Sequence, residues 1–319
     1  MSIDLIAYPD IDAVLGDRAG RFFGEGYKRI DHRIFDITLG GDAQGRPHLS
    51  AVAGVAYPLD WSRKSTRVLE PHLSSIDCAI FGYRLLAVLL RECCGLTEAE
   101  ITRCWMPYVQ FSSGTTATES LDEFPITVTV TEMSDASLTL TGALGSSMTL
   151  EATVALPNAP RPCSRELRTV HEHGGGYYDG PVYQRGQYLR DLVVTEDIGT
   201  VAAAIQLTET ESPTGLVGVA DAYQPCACLV DTTVILAQLS QVLLYQLDNI
   251  ARRDSETLWM RRMTARAATP PASIPTTAAT RMVRSMVLTF GGGPWRISTW
   301  EAEFADCEIR YDLAHRLPA

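Results

Sequence analysis

The sequence feature that most constrains the fold is an internal duplication of a long apolar segment. Residues 76–90 read IDCAIFGYRLLAVLL and residues 230–244 read VDTTVILAQLSQVLL, with Asp77 and Asp231 at the same place in each copy. The same offset of 154 residues aligns Trp105-Met106 with Trp259-Met260. Because these matches keep one order, the chain is predicted to contain two copies of a unit of roughly 150 residues.

Weaker matches extend the repeat in both directions. They pair Leu140-Thr141 with Leu288-Thr289, Glu151-Ala152 with Glu301-Ala302, and residues 54–58 with residues 218–225. The last match places Tyr57 and Tyr223 in equivalent positions before their helices, so both are candidates for substrate binding.

A polar stretch rich in proline and glycine separates the two copies. It includes PNAPRP and HEHGGGYYDG, a composition typical of a connecting segment. We therefore expect a first unit at 1–160, a linker at 161–185 and a second unit at 186–319.

Both copies have the same predicted order of elements. A β-like segment comes first, then one long helix (76–92 or 230–250), then short alternating strands. The expected strands are 52–57, 126–132, 137–143 and 148–156 in the first copy, and 281–290, 296–304 and 308–311 in the second. Each helix is apolar on most faces, which indicates that other structure surrounds it. This order predicts an α+β fold, a double hotdog, in which each antiparallel sheet wraps a central helix and a pseudo-twofold axis relates the halves.

Composition excludes several classes of partner. The formal net charge is −11, which argues against binding to nucleic acid or to an anionic membrane surface. No run of 18 apolar residues and no signal-peptide pattern at the N-terminus is present, so a cytoplasmic protein is expected. None of the eight cysteines forms a C-x-x-C pair, and reduced thiols fit that location.

Asp77 is the first candidate for acid/base chemistry. Ser74 or Ser75 is expected to cap the helix, which places Asp77 in the first turn, where the helix dipole stabilises a carboxylate. Apolar neighbours raise the pKa of such a carboxyl group towards the useful range, so the residue is either a catalytic base or only a cap. Asp231 is the symmetric alternative, and His72 lies close enough in sequence to assist Asp77.

The loop before the first helix carries the densest group of polar side chains. About twelve residues longer than its counterpart, it contains Asp60, Trp61, Arg63 and Lys64. Two adjacent cations in an acidic chain suit a substrate phosphate. The loop is therefore predicted either to complete a working pocket in the first half only or to be an ordinary exposed loop.

The N-terminal run from Leu15 to Lys28 is the second dense segment and includes Glu25. Its glycines permit a close approach of backbone to a neighbour or a ligand, with packing as the favoured interpretation. His171-Glu-His173 lacks nearby third and fourth ligands, so no metal site and no cofactor are predicted.

Three motifs together resemble the avirulence-D protein family. They are LGxxxGRFFGEGYKR at 15–29, YPLDWSRK at 57–64 and LEPHLSSIDC at 69–78. The resemblance implies a double hotdog enzyme that joins a 3-oxoacyl thioester to a small hydroxyketone sugar, such as xylulose, and closes a syringolide-type lactone. The A-factor synthase family, also a hotdog pair, carries out a related acyl transfer onto dihydroxyacetone phosphate.

The helix entry also resembles the 3-hydroxyacyl-carrier-protein dehydratases, in which a proline precedes the catalytic Asp by six residues, as Pro71 precedes Asp77. Their catalytic histidine lies well upstream of that proline, and we expect no counterpart for it here. His72 stands where those enzymes have glycine.

The resemblance implies an acyl-carrier protein or coenzyme A thioester as donor, a sugar or sugar phosphate as acceptor, and leaves room for a homodimer. Two alternatives stay open, a dehydratase or thioesterase of acyl thioesters and a non-catalytic binder of lactones or acyl groups. An enzyme needs Asp77 or Asp231 to face a basic partner, whereas a binder needs only an apolar tunnel.

Overall fold

The computed structural model describes residues 5–62, 64, 69–161, 166–208 and 214–318. Within these residues, fourteen antiparallel strands form a single sheet, and two long helices pack against it.

The first half begins with a strand and a short helix that precede its main sheet. The elements are β1 (Leu5–Asp10), α1 (Asp12–Leu15), β2 (Asp31–Gly41), β3 (Pro47–Ala56), α2 (Ser75–Cys94), α3 (Glu98–Ile101), β4 (Trp105–Ser113), β5 (Phe124–Met133), β6 (Ser137–Leu144) and β7 (Met148–Ala155).

The second half repeats this order. Its elements are β8 (Arg168–Thr169), β9 (Gly186–Thr195), β10 (Thr200–Thr208), α4 (Leu229–Leu247), β11 (Leu258–Ala267), β12 (Thr277–Phe290), β13 (Gly293–Phe304) and β14 (Cys307–Arg316).

The strand order shows the pseudo-twofold relation between the halves. It runs β1-β9-β10-β12-β13-β14-β11-β4-β7-β6-β5-β3-β2-β8, so β11 and β4 join the two sheets edge to edge, with Met263 opposite Phe111. The outermost strands are exchanged, because β1 of the first half pairs with β9 and β8 of the second half pairs with β2. This arrangement is the predicted double hotdog, and the fold prediction is confirmed.

Both long helices form because their ends are capped and their surfaces are apolar. The Ser74 hydroxyl accepts a hydrogen bond from the Asp77 backbone N–H, and Gly95 ends α2 in the left-handed region at φ 62°. Every residue of α4 from Leu229 to Tyr245 is buried. Burial of a large aliphatic side chain contributes about 1.5–3 kcal/mol, so the surrounding sheet holds these helices in place.

Several details differ from the sequence-based expectations. The predicted linker at 161–185 contains β8 and the buried side chains of Tyr177 and Tyr178, and it is the counterpart of the N-terminal segment before β2. Two of the weaker repeat matches are wrong, because they align β6 with β12 and β7 with β13, whereas β6 corresponds to β13 and β7 to β14. Dipeptide matches are too short to fix the register of a meander.

The described part of the chain contains no helix that is both long and apolar enough to cross a membrane. No disulfide joins any two of the seven cysteines in it.

Candidate active site

In the first half, the carboxylate of Asp77 at the start of α2 has four hydrogen-bond partners. Asp77 is fully buried, and its Oδ2 accepts hydrogen bonds from the Tyr57 hydroxyl at 2.6 Å and from the Ser74 backbone N–H and hydroxyl, each at 2.7 Å. Its Oδ1 lies 2.7 Å from His32 Nε2. Four donors therefore converge on one carboxylate, which fixes it as a charged acceptor.

His32 connects this carboxylate to the other half of the chain. It is the second residue of β2, and its Nδ1 lies 2.9 Å from the Tyr183 hydroxyl, which belongs to the segment after β8. The expectation that no histidine upstream of Pro71 serves as a counterpart of the dehydratase histidine is wrong, because His32 contacts Asp77. A continuous hydrogen-bonded chain runs from Tyr183 through His32 and Asp77 to Tyr57.

The electrostatics of this chain favour ionised Asp77 and protonated Tyr57. Burial by itself raises the pKa of Asp77, but the hydrogen bond and charge of His32, with the hydrogen bonds of Tyr57 and Ser74, outweigh it and hold the pKa below its usual value. Burial, together with the charge of Asp77, raises the pKa of Tyr57 well above its usual value. Tyr57 is thus a neutral phenol that donates its proton towards Asp77.

The second half contains the same frame with different chemistry. Asp231 in the first turn of α4 accepts from Arg185 Nη1 at 2.6 Å and from Gln187 Nε2 at 2.8 Å, and the Tyr27 hydroxyl donates to Gln187 Oε1 at 3.0 Å. Gln187 thus occupies the place of His32. Burial lowers the pKa of Arg185, but the charge of Asp231 raises it above its usual value, so this pair is a fixed buried ion pair.

A narrow cleft of about 90 Å³ lies beside α2, between the two halves. This volume exceeds the ~10–15 Å³ that one water needs. Its walls include Tyr57 and Ser74, which separate it from Asp77, and Gln238 and Gln241 of α4 on the opposite side. A ligand in the cleft would therefore touch Tyr57 or Ser74 directly and reach Asp77 only through these two side chains.

Aromatic rings shape the mouth of the cleft. Trp61 packs edge to face against Tyr57 with centroids 5.3 Å apart, and its Nε1 donates to the Leu69 carbonyl. His72 stacks on Trp259 of the second half at 4.3 Å, and burial lowers the pKa of its imidazole. His72 is therefore neutral near pH 7 and suited to accept a proton.

The N-terminal motif packs against this mouth through its glycines. A Cβ at Gly26 would lie 2.1 Å from the Trp61 carbonyl oxygen, so only glycine fits there. This contact brings Arg21 and Phe22 to the wall of the cleft. Packing, the favoured interpretation of this run, is what these contacts show.

Lys64 lies in the cleft wall, but its ammonium group donates to the second half. Its Nζ lies 2.6 Å from the Glu256 carbonyl oxygen and 3.0 Å from Ser255 Oγ. Arg63, the predicted second cation, lies outside the described residues.

Three other predicted site residues lie away from the cleft wall. Asp60 pairs with Arg29 at 2.7 Å on the surface. Glu25 is bound by Arg18 and Lys28. Tyr223 lies in a 3₁₀ turn, where its hydroxyl donates to the Arg103 carbonyl, so it is not the structural equivalent of Tyr57, which directly follows β3.

Comparison with known proteins places the chain in a family. The family model described as Pseudomonas avirulence D protein (AvrD) matches residues 7–318. The chain belongs to this family. No curated protein matches it.

Solved structures similar to this avirulence D family member have low sequence identity and TM-scores below 0.5. A hot dog fold protein of unknown function from Alicyclobacillus acidocaldarius has TM-score 0.41 and 10% identity, covering 88% of this chain and 96% of that one. An acyl-ACP thioesterase from Bacteroides thetaiotaomicron has 0.38 and 9%, covering 91% and 99%. The dehydratase domain of a mycocerosic acid synthase-like polyketide synthase has 0.38 and 11%, covering 91% and 94%.

The sequence of this family member did contain a signal for His32. Tyr27-Lys-Arg29 precedes it, and Tyr183-Gln-Arg185 precedes Gln187, so the two Tyr-x-Arg motifs mark equivalent positions. Each tyrosine reaches the other half, since Tyr27 bonds Gln187 and Tyr183 bonds His32. Within the described residues, no group of three His, Cys, Asp or Glu side chains is placed to hold a metal ion.

Proposed function

We propose that this protein is an enzyme of acyl-thioester chemistry whose active site is the cleft beside α2. The reaction is condensation of a 3-oxoacyl thioester with a small hydroxyketone sugar, xylulose-like or dihydroxyacetone-like, to give an acyl-sugar lactone. Family membership supports this reaction class, and the acyl group is expected to arrive on an acyl-carrier protein or coenzyme A.

The observation that carries the proposal is the hydrogen-bonded chain from the cleft wall to His32. The Tyr57 oxygen accepts the proton of the sugar hydroxyl while the Tyr57 proton passes to Asp77. Asp77 is held as an anion next to His32, so the negative charge that drives this transfer is in place before substrate binds. Tyr57 is then the catalytic residue, and Asp77 and His32 are positioning residues that act through it.

The proposed first step transfers the acyl group. The sugar oxygen attacks the thioester carbon as its proton moves to Tyr57 and the Tyr57 proton to Asp77, and a carbon–oxygen bond forms. The carbon–sulfur bond then breaks, and the proton returns from Asp77 through Tyr57 to the departing sulfur, so that a free thiol leaves. In the second step the acidic carbon between the two carbonyls loses its proton to neutral His72 and attacks the carbon of the sugar ketone. The new carbon–carbon bond closes the lactone ring, and the former ketone oxygen takes the proton back from His72.

A direct assay tests this proposal. Purified protein is mixed with a 3-oxoacyl-coenzyme A and dihydroxyacetone or xylulose, and free thiol and product mass are followed. Asp77→Asn keeps the shape of the side chain but removes its charge, and we expect turnover to fall at least about a hundredfold.

The matched control is Asp60→Asn, an exposed aspartate outside the cleft, which should react like the wild type. Thiol release that is equal in the Asp77 variant and the wild type would contradict the proposed role of the network. Binding of the acyl thioester without any thiol release would instead favour a non-catalytic binder.

Dehydration of a 3-hydroxyacyl thioester is the second candidate, because the contact between His32 and Asp77 joins the two residue types that the dehydratase resemblance requires. The two side chains touch at 2.7 Å, and the pair is sealed from the cleft by Tyr57 and Ser74, which leaves no space for substrate between them. Formation of an enoyl product from a 3-hydroxyacyl-coenzyme A, without any sugar, would favour this reaction over condensation.

A further inference from the structure

The cleft has a charge opposite to that of the whole chain. Its described walls include three cationic side chains, Arg21, Lys64 and Arg252, and no aspartate or glutamate. The chain as a whole carries a formal net charge of −11. A concentration of positive charge in one enclosed place attracts an anionic ligand.

Arg21 is one of the residues that line this cleft, and it has an unused side-chain donor. Only 3% of the residue is exposed, and its guanidinium group contacts Gln238 Oε1 at 2.8 Å and the carboxylate of Asp12. Its Nε–H has no hydrogen-bond acceptor among the described residues. A buried donor without a partner is costly, and an oxygen of an entering anion would satisfy it.

Arg252 adds a second positive charge beside Arg21. It is half-buried and its Nη2 donates to the Gly20 carbonyl at 3.1 Å. Burial lowers the pKa of Arg21 to about 10, and the nearby charge of Arg252 contributes to this change. Asp12 pairs with Arg21, and Arg21 and Arg252 together place two guanidinium groups at the α4 side of the cleft.

The position in the first half that corresponds to Gln238 holds a cation, and its partners differ from those of Arg21. Arg84 on α2 corresponds to Gln238 on α4, and its guanidinium is bound by Glu172 at 2.5 and 2.7 Å and by Asp179 at 3.0 Å. There two protein carboxylates bind the cation, whereas Arg21 contacts one carboxylate, that of Asp12, and keeps an Nε–H without an acceptor among the described residues.

We propose that Arg21 and Arg252 form a phosphate-binding subsite in the cleft, so that one of the two substrates is held by a phosphate group. Guanidinium groups match phosphate oxygens in geometry as well as in charge. The identity of that substrate rests on the proposed function, since the phosphate belongs either to a sugar phosphate or to the phosphopantetheine of the acyl donor.

Calorimetric titration of the full chain tests the subsite without any reaction. The probes are inorganic phosphate and two matched pairs, glycerol 3-phosphate with glycerol and pantetheine 4′-phosphate with pantetheine. We expect inorganic phosphate and at least one phosphorylated probe to bind, and its unphosphorylated partner to bind at least about tenfold more weakly. If glycerol 3-phosphate shows the preference the phosphate is that of the sugar, and if pantetheine 4′-phosphate does, it is that of the acyl donor.

Arg252→Gln is the main variant, because Arg252 is half-buried and its loss should leave the fold intact. It should weaken phosphate binding at least about tenfold with an unchanged melting temperature. Arg21→Gln should do the same if it folds. Arg262→Gln removes an exposed arginine that pairs with Asp312, and it should bind like the wild type.

The subsite is refuted if the phosphorylated and unphosphorylated probes bind alike, or if Arg252→Gln binds phosphate as well as the wild type does. The two proposals fail separately. Phosphate binding without acyl transfer would retain the subsite and reject the condensation, whereas acyl transfer by a protein that binds phosphorylated and unphosphorylated probes alike would do the reverse.

Discussion

The two long helices start in the same way, with a buried aspartate in the first turn, but different side chains bind the two aspartates. In the first half, Asp77 is bound by His32 and Tyr57, and a cleft opens beside them. In the second half, Asp231 is bound by Arg185 and Gln187 and is fully enclosed. A duplicated fold therefore keeps its helix cap in both copies, while the side chains that bind the capping aspartate differ between them.

The difference between these two sets of partners indicates that the two halves have different roles. Buried ion pairs such as Asp231 with Arg185 are costly to break. The chain through Asp77 contains a histidine and two tyrosines and leads to the cleft. We infer that the first half carries out the reaction and that the second half supplies rigidity, together with Tyr183 and the far wall of the cleft.

The largest effect is expected from breaking the ion pair of the second half. Asp231→Asn leaves the fully buried Arg185 without its counter-charge, and we expect it to lower the free energy of unfolding by about 3–5 kcal/mol. Urea denaturation measures this change. Asp312→Asn, which breaks an exposed pair with Arg262, should cost no more than about 1 kcal/mol, and equal losses would mean that the buried pair has no special role.

Two buried aspartates near the starts of the long helices, Asp221 and Asp77, make the stability of the protein depend on pH in opposite ways. Burial raises the pKa of Asp221 in the second half to about 6 from its usual 3.8. Because the folded state holds this proton more tightly, the contribution of Asp221 is fully present below pH 3.8 and is lost as pH rises through about 6. Asp77 has the opposite sign, since its lowered pKa retains its contribution down to about pH 4.

Asp221→Asn should remove this loss, so that between pH 4 and 7 the free energy of unfolding falls by about 1–3 kcal/mol less in the variant than in the wild type. Denaturation at a series of pH values measures it, with Asp60→Asn as the exposed control. A slope that is the same in both variants would show that Asp221 is ionised without penalty.

A smaller effect, on turnover, is expected from removing the hydroxyl of Tyr183, which the second half contributes to the network around His32. Tyr183→Phe removes the hydroxyl 2.9 Å from His32 Nδ1 and should lower kcat about three- to tenfold, shift the pH profile of kcat and leave KM unchanged. Tyr27→Phe, the matched change beside Gln187, should reduce stability without moving the pH profile. If both variants shift the profile alike, the two networks are not different in kind.

The sequence predicted the parts of this molecule that depend on local pattern. The duplicated apolar helices, their capping and Asp77 followed from periodicity and from the first-turn position. His32 did not, because the register of β2 brings it to Asp77 across 45 positions and because the second copy has glutamine there, which hides the match.

Tyr183 was missed for a related reason. Its segment is rich in glycine and was assigned to a linker, but exchange of the outer strands between halves places it beside His32. Such exchange is a property of the assembled sheet, and no local pattern specifies it.

The most direct test of the central claim makes the first half resemble the second. His32→Gln introduces the residue that Gln187 provides beside Asp231, and the new amide can still donate to Asp77, so the melting temperature should change little. His48→Gln is the control, since His48 bonds Thr129 outside the cleft wall. We predict that thiol release from a 3-oxoacyl-coenzyme A falls at least about a hundredfold in His32→Gln and is unchanged in His48→Gln. A folded His32→Gln protein that releases thiol at the wild-type rate would contradict the assignment of the reaction to the first half.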